Sequence, residues 1–214
     1  VDQRAGVFRT GNPNEIVLMN GLVRRVFRIA PNFATVALDN VSTGQSLLRG
    51  VKPEASLTID EKAYAIGGLL GQPNYAYLLP EWLDRMTADP AAFQFAGFEV
   101  GKTKERFPWK RVRHCADLPW PPPGVSLTVT FKPPAGLPAS LSFQVHYELY
   151  DGIPLLCKWF TLANGSDKPV RLQKFTSEIL AAVEESSSVE QTSIEVPRAI
   201  QVESDYAFLG SDAQ

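Results

Sequence analysis

Short runs in which apolar and polar residues alternate dominate the chain. The clearest run is residues 141–149, where Leu, Phe, Val, Tyr and Leu occupy every second position. Residues 125–131 alternate in the same way, and Asp151-Gly152 joins the longer run to another apolar run at 155–162. A period of two places successive side chains on opposite faces of a strand, and Asp-Gly is a strong hairpin signal. These stretches therefore predict paired antiparallel strands.

Turn residues divide the rest of the chain into similar short pieces, since proline occurs 17 times and glycine 15 times. The predicted strands are residues 16–18, 22–29, 34–38, 46–51, 54–59, 64–66, 93–100, 125–131, 141–149, 155–162, 170–175 and 177–183. So many strands exceed one ordinary sheet, and two packed sheets are the natural solution. We predict an all-β fold, a two-sheet antiparallel sandwich formed by residues 1–214 as one domain.

Three further expectations concern individual side chains or a choice between helix and strand. In residues 22–29 we expect the arginines to face solvent, and in residues 155–162 we expect Trp159 to lie in the core. Residues 178–185 fit a helix as well as a strand, and we favour a strand because their neighbours are strands. Beyond residues 186–188 the pattern indicates no clear element.

Residues 67–120 depart from the strand pattern and predict a long, partly ordered insertion between two sets of strands. A short helix is possible near residues 80–87, because Pro80 is tolerated in a first helical turn. Long connections of this kind are often functional or cover a sheet face.

Length and charge restrict the class of protein further. A chain of 214 residues suits one large β domain, and a net charge of −2 gives no sign of a nucleic-acid partner. No apolar run approaches the length that spans a bilayer, so we predict no membrane partner. The chain starts at Val1 without a signal-like segment. We expect a fragment of a longer protein and leave its compartment open, secretion and the periplasm included.

Candidate catalytic and metal-binding residues are few. The only histidines, His114 and His146, lack the spacings of zinc motifs, and neither nucleophile nor phosphate-loop motifs occur. We therefore predict no catalytic residue, no metal and no cofactor. Cys115 and Cys157 are expected to be buried thiols, with a disulfide between them left open. His146 shares its strand parity with Glu148, which predicts a solvent-facing position.

An aromatic and basic cluster in and around the insertion is the candidate binding site. Flat aromatic faces stack on the apolar faces of sugar rings, and arginines then bind the hydroxyl groups. The alternative is that the tryptophans close the edges of the sandwich while the basic residues are solvated. The candidate carbohydrate-binding residues are Trp82, Arg106, Trp109, Arg111 and Trp120, with Phe107, Lys110 and Arg113 nearby.

Several stretches resemble a known family. Residues 20–27 (NGLVRRVF), 34–40 (ATVALDN) and 145–164 resemble the N-terminal domain of glycoside hydrolase family 36, the melibiase-type α-galactosidases. The resemblance implies a β-supersandwich related to the galactose mutarotase sandwich. It also implies that the catalytic aspartates belong to a following (β/α)8 barrel, so no catalytic residue carries over to this chain.

Three functions follow as hypotheses. The first is a non-catalytic accessory domain of an α-galactosidase-like hydrolase, whose partners are a carbohydrate or the catalytic barrel and which supports oligomers. The second is a free-standing carbohydrate-binding module. The third is an aldose 1-epimerase-like enzyme, for which His146 and Glu148 on one sheet face are the only sequence indication.

Overall fold

The computed structural model describes residues 3–74, 76–112 and 117–183. Nearly all regular structure in these residues is strand, with one 3-10 helix at Pro80–Arg85. The strands are β1 (Gly6–Arg9), β2 (Glu15–Met19), β3 (Val23–Arg28), β4 (Ala34–Asn40), β5 (Gln45–Ser46), β6 (Leu48–Gly50), β7 (Ala55–Ile59), β8 (Lys62–Ile66), β9 (Gln94–Lys102), β10 (Gly124–Lys132), β11 (Leu141–Tyr150), β12 (Leu156–Asn164), β13 (Leu172–Thr176) and β14 (Ala181–Ala182). The all-β prediction is confirmed.

These strands form four antiparallel sheets. A five-stranded sheet has the order β1-β2-β3-β4-β5, and a four-stranded sheet has the order β12-β11-β10-β9. A three-stranded sheet, β13-β7-β8, and the short pair β14-β6 complete the set. The predicted insertion thus contains β9, which forms one edge of the four-stranded sheet.

The main core lies between the four-stranded sheet on one side and the five- and three-stranded sheets on the other. Alternate residues of β10 and β11 face this core, and Val145 lies opposite Val129 in the register. Aromatic rings join the layers: Phe27 contacts Tyr147 at 5.1 Å between ring centroids, and Phe93 contacts Phe143 at 5.9 Å. Burying each such side chain stabilises the fold by about 1.5–3 kcal/mol.

A second, smaller core forms beneath the 3-10 helix. Leu83 and Met86 are buried there with Val17 and Val26, and Trp82 packs against the same cluster. The helix confirms the expectation near residues 80–87, and Pro80 stands in its first turn, where no backbone donor is lost. This packing fixes the helix against the five-stranded sheet.

The structure corrects the expectation that the arginines of residues 22–29 face solvent for two of the three, since only Arg24, with 41% of its side chain exposed, does so. Arg25 is 2% exposed and Arg28 4%. Each is buried because carboxylates from other elements meet it: Glu54 and Glu178 bind Arg25, while Glu15 and Asp84 bind Arg28. Long-range partners therefore overrode the usual preference of arginine for water.

Trp159 is also placed differently from the expectation. It lies opposite His146 in the β11–β12 register and is half-buried on the face of the four-stranded sheet that points away from the core. The inward residues of β12 are instead Leu156, Phe160 and Leu162. In the expected strand 177–183, only Ala181–Ala182 has strand structure.

Candidate functional site

The connection between β9 and β10, residues 103–123, carries three exposed aromatic side chains, of which Trp120 contacts the other two. The ring centroids of Phe107 and Trp120 are 5.3 Å apart, as are those of Trp109 and Trp120. Their exposed fractions are 51% for Phe107, 40% for Trp109 and 36% for Trp120. Tilted rings at this spacing attract one another, and together they leave an apolar patch open to solvent. We call these three residues the aromatic cluster.

Polar contacts attach this connection to the four-stranded sheet. The hydroxyl of Thr103 donates to the carbonyl of Pro122 at 2.6 Å, which joins the start of the connection to its end. The backbone N–H of Lys104 donates to Oε1 of Glu148 on β11 at 3.3 Å. The connection is therefore held at its base, while the aromatic cluster lies further along it.

Arg106 links the connection to the outer face of the sheet, the face opposite the core. Its guanidinium lies 4.1 Å from the ring centroid of Trp159, and its Nη2 donates to the hydroxyl of Tyr150 at 3.3 Å. Its Nε is 3.6 Å from Oε2 of Glu148. Burial works to lower the pKa of Arg106, but the Tyr150 hydrogen bond and the Glu148 charge outweigh it and raise the pKa. Arg106 thus fixes the connection with a permanent charge.

Glu148 and Tyr150 form a hydrogen-bonded pair beneath Arg106. The hydroxyl of Tyr150 donates to Oε2 of Glu148 at 2.8 Å. Burial, together with the hydrogen bond to Glu148, raises the pKa of Tyr150, so the phenol stays protonated as a donor. Both oxygens of Glu148 are then engaged, one by Tyr150 and one by the backbone N–H of Lys104. This arrangement holds a carboxylate that is only 3% exposed.

His146 lies beside this pair on the same face. Its Nδ1 is 3.1 Å from the hydroxyl of Thr128, and its Nε2 is 3.1 Å from that of Thr161. Its ring stacks on Trp159 at 5.1 Å with an angle of 11° between the planes. Burial lowers the pKa of His146, opposed by the charge of Glu148. The imidazole is therefore neutral at neutral pH, with both ring nitrogens in hydrogen bonds.

The predicted site residues separate into groups in the structure. Trp109 and Trp120 contact each other, whereas Arg106 lies on Trp159. Arg111 pairs with Asp117 at 3.3 Å, and both side chains are exposed. Trp82 packs against the second core, and among the described residues its ring contacts none of the other three tryptophans. Arg113, His114 and Cys115 lie outside the described residues, so the disulfide stays an open prediction.

Two groups of functional interest were missed from the sequence. On the outer face, parity had placed Glu148 beside His146, but the contacts of Glu148 with Tyr150 and Arg106 and the stacking of Trp159 on His146 were not predicted. The parity of Tyr150 and Trp159 in β11 and β12 was the available signal. No local signal marks the second group, a set of buried charges around Arg25 and Glu54. Its members come from three strands and two loops that are distant in sequence.

Several classes of site are not found in the part of the chain that the structure describes. These residues contain no group of three or more His, Cys, Asp or Glu side chains arranged to hold a metal ion. They also contain no helix long and apolar enough to cross a membrane.

The fold and these contacts define an antiparallel β-sandwich with an aromatic and basic connection anchored to one outer sheet face. Comparison of the chain with protein-family models, with curated proteins and with solved structures finds no significant match. The resemblance to the N-terminal domain of family 36 glycoside hydrolases therefore stays a prediction from the sequence.

Proposed function

We propose that this sandwich is a non-catalytic accessory domain of an α-galactosidase-like glycoside hydrolase, and that its β9–β10 connection contacts the sugar. The observation that carries the proposal is the aromatic cluster, in which Trp120 contacts both Phe107 and Trp109 while all three rings stay exposed. A surface patch of this kind, on a connection attached to a rigid sheet, is typical of a binding surface.

The chemistry of the patch suits a saccharide. One face of a hexose ring presents mainly C–H groups, which pack on the flat apolar face of an indole. Lys110 and Arg111 follow Trp109 directly in the chain and would supply donors for the hydroxyl groups. Aromatic side chains for packing and a few polar groups for orientation are the usual composition of a small-molecule site.

The hydrogen bonds of His146 and the burial of Glu148 support the non-catalytic part of the proposal. An epimerase-like mechanism needs a base and an acid that reach the sugar. His146 has both nitrogens in hydrogen bonds to threonines, and Glu148 is 3% exposed beneath Tyr150 and Arg106. These bonds favour a structural role for the two residues over the aldose 1-epimerase alternative.

Isothermal titration of the chain with galactose, melibiose and raffinose tests the proposal. We expect weak, saturable binding with a Kd on the order of millimolar, because few atoms contact an open surface. Trp109→Ala and Trp120→Ala abolish the heat, whereas Leu118→Ala, an exposed apolar residue of the same connection, leaves it unchanged. Heat that survives both tryptophan substitutions contradicts a role for the aromatic cluster.

The same sample distinguishes the alternatives. A free-standing module, which the exposed cluster also favours, binds sugar with full affinity in this chain alone. An accessory domain binds more tightly when the catalytic barrel is present in the same protein. A mutarotation assay on the sample is expected to show no acceleration over buffer, and acceleration that is lost in His146→Ala supports the epimerase hypothesis instead.

A further inference from the structure

Five polar side chains meet inside the sandwich, and we call them the buried ionic cluster. Arg25 comes from β3, Tyr147 from β11 and Lys158 from β12. Glu54 precedes β7, and Glu178 lies between β13 and β14. The side chains of Arg25, Glu54 and Lys158 are 2%, 1% and 8% exposed, whereas that of Glu178 is 32% exposed. Glu178 is thus the one member that water reaches easily.

Glu54 is a fixed part of the cluster. Its Oε1 accepts the hydroxyl of Thr35 at 2.8 Å, and its Oε2 accepts the hydroxyl of Tyr147. Oε2 also lies 3.1 Å from Nη2 of Arg25 and 3.6 Å from Nζ of Lys158. Because Thr35, Tyr147 and Arg25 are buried, they hold the Glu54 carboxylate in place beside the two positive charges.

Glu178 neutralises the second positive charge. Its Oε2 lies 2.8 Å from Nη1 of Arg25, and its Oε1 lies 2.8 Å from Nζ of Lys158 and 3.2 Å from Nη2 of Arg25. Without this carboxylate, two buried cations would face one anion, which is costly in an interior of low polarity. Arg25 and Lys158 therefore present a site shaped for one carboxylate group.

The segment that carries Glu178 has few other attachments. We call residues 177–182 the strap. Its strand β14 pairs with β6 over only two residues, with an irregular register between them. Ser177 and Leu180 are exposed. The three charge-assisted bonds of Glu178 are consequently the strongest polar attachment described for the strap.

We propose that Arg25 and Lys158 form a carboxylate-binding site, that Glu178 is its internal ligand, and that a small free carboxylate takes the place of Glu178 when the strap opens. The fold then has two states, one with the strap closed by its own carboxylate and one with the strap released and an external carboxylate bound. The Glu178 carboxylate therefore competes with the external carboxylate for binding to Arg25 and Lys158.

Chemical rescue of Glu178→Ala tests the proposal. The substitution empties the site, and we expect the thermal midpoint to fall by roughly 5–15 °C, as for loss of one partner of a buried ion pair in a domain of this size. Sodium formate then raises the midpoint of Glu178→Ala in a saturable manner, as a ligand of the folded state does. Sodium chloride of equal ionic strength does not.

Glu105→Ala removes an exposed glutamate and is the matched control. Wild type and this control respond to formate far less than Glu178→Ala does, and equally to each other, because their tethered Glu178 carboxylate competes with formate for the site. A Glu178→Ala midpoint that formate raises no more than chloride overturns the proposal, as does a midpoint within about 1 °C of wild type.

A second variant covers the case in which Glu178→Ala is not recovered folded. Glu178→Gln keeps the shape of the side chain and removes its charge. We expect the strap amides of Glu178→Gln to exchange with deuterium at least tenfold faster than in wild type, while the core amides of β10 and β11 keep their relative protection. Unchanged exchange in the strap overturns the proposal.

Discussion

Replacement of Glu54 by glutamine probes the centre of the buried ionic cluster. The substitution keeps the size of the side chain but removes the charge that faces Arg25 and Lys158. It also turns one acceptor oxygen into an NH₂ donor, which would then face the hydroxyls of Tyr147 or Thr35 or the two cations. Glu178 alone would be left to neutralise both cations.

The expected loss is large because Glu54 is 1% exposed and its partners are buried with it. Removing one partner of a buried, hydrogen-bonded ion pair costs about 3–5 kcal/mol. Domains have only about 5–15 kcal/mol of total stability, so this loss removes a large share of it. For a chain of this size it corresponds to a fall of roughly 10 °C in Tm.

Urea unfolding followed by tryptophan fluorescence measures the effect. We expect Glu54→Gln to lower the midpoint concentration with the slope unchanged, which indicates a loss of stability without a change in the surface exposed on unfolding. Glu99→Gln makes the same chemical change on exposed β9 and is expected to stay within about 0.5 kcal/mol of wild type. A loss below about 1 kcal/mol for Glu54→Gln refutes the reasoning, because the cations would then be stabilised in some other way.

Three further outcomes follow from the contacts. Arg106→Ala removes the cation over Trp159 and the ion pair with Glu148. We expect the free energy of unfolding to fall by about 1–2 kcal/mol and the tryptophan emission to shift to longer wavelength. Unchanged emission would count against the contact between Arg106 and Trp159. Glu178 has its pKa lowered: burial alone would raise it, but the charges of Arg25 and Lys158 outweigh burial. Its contribution to stability is therefore present above the ordinary pKa of 4.5 and lost as the pH falls through the lowered pKa of the folded state. Glu178→Gln is expected to give a stability curve that is flatter than that of wild type below this ordinary value. Phe143→Ala opens the core at a fully buried ring and is expected to cost about 3–5 kcal/mol in urea unfolding, against which a loss below about 1.5 kcal/mol would argue.

The strand pattern was predictable because alternation is a local property. Residues 141–149 alternate over their whole length, and β11 buries one face of that run in the core. The same parity placed His146 and Glu148 together on the outer face, as the register with β12 confirms. Strand β14 covers only two residues of the strand predicted at 177–183, because pairing with the distant strand β6 rather than alternation sets its extent. Strand β1 was missed for the same reason, because it forms by pairing with β2.

The positions of charged side chains were less predictable, because their partners are distant in sequence. Arg25 was expected to face solvent, but it is buried. Its carboxylate partners Glu54 and Glu178 lie 29 and 153 residues away in the chain. In the candidate site, Trp109 and Trp120 were expected together because they share one connection, and their rings do touch. Trp82 was grouped with them because it lies in the same predicted insertion, residues 67–120, but the packing of its helix places it against the second core.

The chain contains four tryptophans, and their indole N–H signals report separately on the β9–β10 connection, the outer sheet face and the second core. A titration of the wild-type chain with melibiose, followed by NMR and assigned with single Trp→Phe variants, tests the sugar-binding claim most directly. If the sugar binds at the aromatic cluster, the signals of Trp109 and Trp120 shift and saturate together, whereas those of Trp82 and Trp159 stay in place. Shifts confined to Trp82 or Trp159, or no shift at roughly tens of millimolar sugar, would contradict sugar binding at the aromatic cluster.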